Sequence, residues 1–510
     1  MILGDMIKQN AIRFPQKTGL TFGSVRLTFE DFSRRVNSAA NALIALGIQP
    51  GNRVGIILGN CHQYVELYFA VAKAGGVTVP VNTALTAQEM ASILNNAEVN
   101  MLVFGEEFAP LVNSVLGQLD SAKALVVVGN SIGEMSNYEQ LVAKYPSTEP
   151  EVEVRERDVA CLFYTSGTTG LPKGAMMTHR GMIEIALNVI RACRYEPDDV
   201  GLVMTPLFWA MAMMANIMPL FYLGGTVVIT DNYAAEAILE LIENEKITST
   251  AMAPPIIMTL VEHPQRSNYD ISTLRCVILG GVPMPVEAHK RAIQTLGSIF
   301  FKAYGLSETG PVSCLLPEEQ IIEGPPEIVK RLASCGRALE NVEVRVIDDE
   351  GREVALGQVG EVIVRGDNLM KGYWKMPQAT EEALKGGYMH TGDLASLDED
   401  GYIYLVGRKK DLIVSGGRTI YAVEIEDVIG QHEDVTEVAV IGVPDEDLGE
   451  SILAVVVPRE GAKIAVKDIV EFCHQRLLDY ACPKSVVFVE RLPRNPTGKV
   501  LKRVLEETYR

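Results

Sequence analysis

At 510 residues the chain is too long for one ordinary core, so two or more domains are expected. With 47% hydrophobic and 22% charged residues it has the composition of a globular protein. A formal charge of -19 argues against general nucleic-acid binding, because that affinity comes mainly from neutralising phosphates with Lys and Arg. Any anion bound here must therefore be held locally. The eight cysteines are scattered and contain no C-x-x-C pair, which favours reduced thiols over a disulfide framework or a zinc site.

The N-terminal stretch "MILGDMIKQNAIRFPQK" has Asp5 and Lys8 interrupting its apolar residues and does not read as a secretory signal. After a turn at "GSVRL", Phe32, Val36, Ala40, Leu43 and Leu46 recur at helical spacing, with Thr28 as cap and Gly47 as stop. "RVGIIL" then reads as a buried strand, residues 62 to 75 as a helix and "GVTVPV" as a second strand. This β-α-β order predicts parallel sheets covered by helices. Similar units recur at "NMLVFG", "KALVVVG", "GTVVIT", "ITSTAMAP" and "LRCVILGG". Residues 201 to 230 carry no charge and pass a length test for a membrane span. They also contain Pro206, Asn216, Pro219 and Gly224-Gly225, so a buried helix leading into a strand is expected instead. A cytoplasmic location follows by default.

From about 340 the texture changes to antiparallel hairpins with acidic-Gly turns, "NVEVRVIDDEGREV" and "GYIYLVGRKKDLIVSGG" among them. Beyond 412 a small unit reads as strand, helix, strand, strand, helix, strand, the second helix over 466 to 479. The charged joint Arg408-Lys409-Lys410-Asp411 lies just before it and suits a hinge. The expected organisation is α/β. A large N-terminal domain (1–408) has parallel, helix-covered sheets plus a small antiparallel barrel-like subdomain. A hinge follows at 409–411, and then a small mobile α+β C-terminal domain (412–510).

Open parallel sheets bind ligands at the carboxyl ends of their strands. The glycine-rich loops at 166 to 170 and 280 to 281 both follow apolar strands. In "YTSGTTGLPKG" the N–H groups of Gly167 to Gly170, the hydroxyls of Thr165, Ser166, Thr168 and Thr169, and Lys173 form a candidate phosphate cradle. The stretch is not a Walker A loop, and taken alone a purely structural loop is equally open. "KAYGLSETGP" offers Tyr304 as a face for a purine, Glu308 as a hard oxygen ligand for Mg²⁺ and Thr309 as a donor to phosphate; a capped helix start is the plainer alternative. Asp393 in "TGDLASL" suits a ribose diol, and Arg408 can bond to sugar or phosphate. "LPRNPTGKVLKR" presents Lys499 on a Pro-Gly turn, where a lone lysine is ordinarily just solvated.

"YTSGTTGLPKG", "YGLSETGP", "TGD", "GRKKDLIVSGGRTIYAVEIE" and "PTGK" occur in an order and spacing that resembles the adenylate-forming superfamily of acyl-CoA synthetases, luciferases and peptide-synthetase adenylation domains. The resemblance spans nearly the whole chain. It implies an ATP-dependent acid–CoA ligase that forms acyl-AMP and then acyl-CoA with release of AMP and pyrophosphate, a chemistry that also runs in reverse. By the same resemblance Lys499 bridges carboxylate and phosphate, Glu308 holds Mg²⁺, and Lys410 is the hinge about which the small domain rotates. Gly281, Val282, Pro283, Ala303, Tyr304 and Gly305 join the nucleotide site, and Ser415, Gly416 and Gly417 approach the pantetheine of coenzyme A.

The acyl pocket implied by the family comprises Trp209, Met213, Met214, Ile256, Gly280 and Gly305, apolar and without an obvious charge. A bulky nonpolar acid, aromatic, alicyclic or medium-chain, is the expected substrate. A methionine stripe is also ordinary core filling. No Asp lies between Thr205 and Ala215 to pair with a substrate amine, and little chain follows Lys499 to hold a carrier domain. Two departures from the family pattern stand out: Trp209 replaces the usual histidine after "PLF", and Arg418-Thr419 replaces Glu-Asn. A ligase that loads a separate carrier protein shares every motif, and a noncatalytic nucleotide sensor is the alternative of another class. No partner beyond the carboxylic acid is implied, and a homodimer is compatible with the sequence.

Overall fold

The apolar runs become parallel strands in a computed structural model that describes residues 1–133, 135–165, 172–282, 284–445, 447–494 and 500–509. Contacts divide the chain into two compact units, one of Met1–Val344 with Val364–Met389 and one of Arg345–Ile363 with His390–Arg510.

The first unit holds two sheets. One runs Ser136–Asn137, Ala124–Val128, Val99–Gly105, Arg53–Ile57, Val77–Pro80, Val159–Thr165, Lys173–Thr178 in spatial order. Its last pair is antiparallel and the other pairs are parallel. The other sheet has a parallel centre, Phe300–Leu306, Cys276–Leu279, Ser249–Met252, Val200–Val203, Thr226–Ile229 and Thr18–Phe22, with antiparallel strands at both edges. Strands buried on both faces need apolar side chains at every position, which is why "RVGIIL" and "LRCVILGG" lack alternation. Helices supply the cover. Ile238, Leu239 and Ile242, Ile257 and Leu260, and Ala292 and Ile293 pack from three successive helices onto Leu202, Val228, Val277 and Leu279. Each fully buried Leu or Ile contributes roughly 1.5–3 kcal/mol.

Helix Phe29–Ala45 starts where Thr28 accepts the Asp31 N–H at 3.1 Å, and helix His62–Lys73 lies where the spacing predicts one. Residues 201 to 230 resolve into the strand Val200–Val203, a single π-helical turn Ala212–Ile217, the helix Met218–Leu223 and the strand Thr226–Ile229. The expected buried helix leading into a strand is present, preceded by a further strand. No helix among the described residues is long and apolar enough to cross a membrane. All eight cysteines are free thiols.

In the second unit the expected hairpin texture appears as residues 393–397 of the strand Tyr388–Leu397 paired antiparallel with Ile403–Arg408, within the antiparallel half-barrel sheet. The C-terminal sheet has the order Arg418–Tyr421, Leu412–Ser415, Gly449–Pro458, Val435–Asp445, with Ser485–Phe488 added in parallel to Gly449–Pro458. Its side chains alternate between two cores. Val440, Ile452, Ala454 and Val456 face Ile425, Ile429 and Ile469, whereas Ala439, Ile441, Leu453 and Val455 face Leu505. Helix Val466–His474 ends earlier than 479, and a terminal helix, Lys502–Tyr509, adds to the expected elements.

Candidate active site

Strand Phe300–Leu306 turns directly back into Gly310–Leu315, so Glu308 and Thr309 sit in a hairpin turn and the alternative of a helix start does not apply. Thr309 is fully buried; its hydroxyl accepts the Leu306 N–H at 3.1 Å and donates to the Gly310 carbonyl at 2.7 Å. Asn368, also fully buried, donates to the Thr309 carbonyl at 2.8 Å. A Cβ on Gly305 would stand 2.0 Å from the Gly310 carbonyl oxygen, so only glycine lets the two strands close. The Glu308 side chain is buried as well. Its carbonyl accepts the Met370 N–H at 2.7 Å, and its Oε1 accepts the Tyr373 hydroxyl at 3.0 Å.

Lys173 opens the strand Lys173–Thr178 and is paired in register with Thr165. Its Nζ stands 5.1 Å from the centre of the Tyr373 ring. Residues 371–374 lie along this strand through Lys371 N–H to Met176, Met176 N–H to Gly372 and Trp374 N–H to Gly174, all 2.8 or 2.9 Å. The structure therefore brings Lys173 and Glu308 to a single tyrosine that sequence reasoning missed. Tyr373 lies 65 residues from Glu308, and the only local signal was the aromatic pair in "KGYWK".

Mg²⁺ is ordinarily bound by one or two carboxylates together with substrate phosphates and water. A single buried, oriented Glu308 carboxylate fits that pattern. Among the described residues no three His, Cys, Asp or Glu side chains group to form a metal cage of their own. Of the cradle and its partners, Ser166, Gly167, Thr168, Thr169, Gly170, Pro283 and Lys499 lie outside the described residues. Gly281 follows the strand Cys276–Leu279 with φ +90° and open space where a Cβ would stand, and half-buried Val282 follows it. Gly280 faces the Ala303 carbonyl oxygen and the Met211 sulfur, 3.4 and 3.9 Å from an added Cβ. Ala303 and Tyr304 are half-buried on the adjacent strand.

The segment leading to Trp209 is pinned from the other sheet. Asn60 Nδ2 donates to the carbonyls of Thr205 and Thr230 at 3.2 and 3.0 Å, while Asn60 Oδ1 accepts the Leu207 N–H at 2.9 Å. Tyr68 donates to the Leu207 carbonyl at 3.2 Å. Trp209 is half-buried and edge-on to Phe208, and its indole N–H is buried without a hydrogen-bond partner among the described residues. Met213 and Met214 are fully buried in the π-helical turn, a feature frequent at functional sites. Ile256 packs half-buried against the core of the same sheet.

In the second unit Asp393 and Arg408 are register partners, and Asp393 Oδ1 meets Arg408 Nε at 2.7 Å. Lys409 bonds Asp349 at 2.7 Å, which raises its pKa. Lys410 sits in the 3₁₀ turn Lys409–Asp411 with its ammonium 3.7 Å from Asp411, its pKa lowered chiefly by burial. The turn after Ser415 holds Gly416 and Gly417 at φ +57° and +73°, the pair of positive dihedrals that a two-residue hairpin demands. Arg418, where the family pattern is broken, is exposed and lays its guanidinium 4.5 Å from the Tyr480 ring centre.

Residues 7–374 match the AMP-binding enzyme family, and residues 424–499 match the AMP-binding enzyme C-terminal domain. The chain is 35% identical over 500 residues to a feruloyl-CoA synthase of Amycolatopsis sp, covering 98% of this chain and 97% of that one. It is 35% identical over 510 residues to the long-chain-fatty-acid–CoA ligase FadD13 of Mycobacterium tuberculosis, covering 99% and 98%. The anthranilate CoA ligase AuaEII, solved in complex with anthranoyl-AMP, superposes with a TM-score of 0.90 at 26% identity, covering 100% of this chain and 97% of that one.

Proposed function

The chain belongs to the AMP-binding enzyme family and is an AMP-forming acid–CoA ligase using ATP and coenzyme A, and from that premise we propose that its acid is bulky and nonpolar, of the aromatic, alicyclic or medium-chain kind. The observation that carries this reading is the uncharged segment from Thr205 to Asn216, pinned by Asn60 and carrying Trp209, Met213 and Met214. Its relatives include a feruloyl-CoA synthase and a long-chain-fatty-acid–CoA ligase, named for an aromatic acid and for long aliphatic acids.

A carboxylate resists attack because it is anionic and its leaving group is poor. Exchanging that leaving group for AMP requires positioning and charge neutralisation more than covalent help. One cation ~4 Å from the developing charge is worth roughly 4 kcal/mol at an effective dielectric near 20, on the order of a thousandfold in rate. In this reading Lys499 is that cation. Glu308 would hold Mg²⁺, which when bound neutralises phosphate charge. Lys173 and Thr165 with the 166–170 loop bind phosphate, Tyr304 offers a face to the base, and Asp393 accepts from the ribose. The 409–411 turn is the hinge for the second step, in which Ser415 to Gly417 let the thiol arm pass. Free thiols accord with a reducing, cytoplasmic setting, and the charge of -19 accords with no nucleic-acid partner.

Pyrophosphate release across aromatic, alicyclic, straight-chain and dicarboxylic acids, with and without coenzyme A, tests the reading. A nonpolar acid is expected to exceed every dicarboxylate by at least about tenfold in kcat/KM, since an unpaired buried charge costs several kcal/mol. A dicarboxylate as best substrate would overturn it.

A further inference from the structure

Resting on the adenylation chemistry above, we infer that Tyr373 is a positioning residue for that step, its hydroxyl holding the Glu308 carboxylate and its ring face holding the Lys173 ammonium. The two contacts come from opposite parts of one side chain: Oη to Glu308 Oε1 at 3.0 Å, and ring centre to Lys173 Nζ at 5.1 Å. The first lies at the long end of the O–H···O hydrogen-bond range, and the second lies within cation–π range. They reinforce one another, because a phenol whose proton leans toward a carboxylate has a more electron-rich ring.

Tyr373 is itself held. It is 8% exposed, bridges to Ala175 on the strand that Lys173 opens, and donates its N–H to the Thr380 hydroxyl at 2.9 Å. Its backbone is thus bridged to the strand that the lysine opens, while its hydroxyl reaches the hairpin turn that carries the acid. Two groups of opposite charge that must both face a nucleotide risk neutralising each other directly. The tyrosine binds each one through a different part of its side chain, the hydroxyl for the acid and the ring face for the ammonium. Loss of the hydroxyl should loosen Glu308 alone, and loss of the ring should loosen both and free them to pair.

Titration calorimetry of full-length protein with α,β-methylene-ATP, in MgCl₂ and in EDTA, tests this without turnover. In Tyr373→Phe the tightening produced by Mg²⁺ should shrink about five- to tenfold, the worth of one ordinary hydrogen bond, while affinity in EDTA stays at the wild-type value. In Tyr373→Leu the affinity in EDTA should fall as well. In turnover, Tyr373→Phe should raise the half-saturating Mg²⁺ concentration for pyrophosphate release. It should leave unchanged both the KM for the acid and thioester formation from supplied acyl-adenylate. Wild-type Mg²⁺ dependence in Tyr373→Phe would overturn the inference, as would a parallel loss of acid binding and thioester formation, which is what a merely packed tyrosine predicts. If Tyr373→Leu does not fold, the Phe variant decides alone. Wild-type protein that binds the analogue yet releases no pyrophosphate with any acid would sink the functional reading and still leave the calorimetric comparison to judge Tyr373.

Discussion

The turn at Glu308 and the turn at Lys410 differ in almost every kind of constraint. Glu308 is 8% exposed and bonded at both its carbonyl and its carboxylate; Thr309 beside it is fully buried, and Gly305 has no space for a methyl group. The Lys410 side chain is 44% exposed in a three-residue 3₁₀ turn, and at Gly417, further on, a Cβ would meet nothing within 4 Å. Stabilising charge that develops in a transition state requires groups fixed before the reaction begins. A hinge requires dihedrals that change at little cost. On the proposed function the first turn suits the first task and the second turn the other, and substitutions in each should fail in different ways.

Gly305→Ala should have the largest effect. The new methyl group overlaps the Gly310 carbonyl, and forcing the strands apart should cost about 3 kcal/mol or more, read as a lowered urea midpoint together with lost adenylation. Retained stability would show that the hairpin is softer than its contacts imply. Acid should weaken the same unit. His179 and His289 are buried, and burial lowers both pKa values to about 4; the Lys302 charge adds to the effect at His289, whereas Asp158 and Asp5 oppose it at His179. The folded state disfavours the proton that the unfolded chain accepts near pH 6.5. The stability is therefore intact above about pH 6.5 and is lost as pH falls toward 4, about 3 kcal/mol for each histidine. Urea melts of His289→Gln should show a shallower decline over that window, and an unchanged slope would contradict the assignment.

At the other turn, Lys410→Pro fixes φ and should slow thioester formation about tenfold while adenylation keeps most of its rate. Equal slowing of both steps would count against a hinge. Gly417→Ala should matter least to the fold, costing about 1 kcal/mol for its left-handed backbone, with any kinetic loss confined to the coenzyme A step.

The sheets were legible because strands buried on both faces leave unbroken apolar runs, and the 280–281 loop was legible because it ends such a run. The π-helical turn at Ala212–Ile217 was not, since a segment apolar on every side has no hydrophobic face to reveal its period. The setting of Glu308 in a hairpin was hidden for another reason: "GLSETG" has equal claims as a helix cap and as a turn until the Gly305–Gly310 contact is seen. Tyr373 and Asn60 act on residues far away in sequence, 65 residues for Tyr373 to Glu308 and 147 for Asn60 to Leu207, so no local pattern ties them to those partners. The strand Arg418–Tyr421 did leave a signal, the Gly416-Gly417 pair that its hairpin turn requires.

The division of labour between the two regions is tested most directly by assaying Lys499→Ala in each half-reaction separately. Pyrophosphate release with ATP and acid should fall on the order of a thousandfold, while coenzyme A supplied with pre-formed acyl-adenylate should yield thioester at close to the wild-type rate. Comparable loss in both assays would contradict the account, because the lysine would then serve the fold or both steps rather than activation alone.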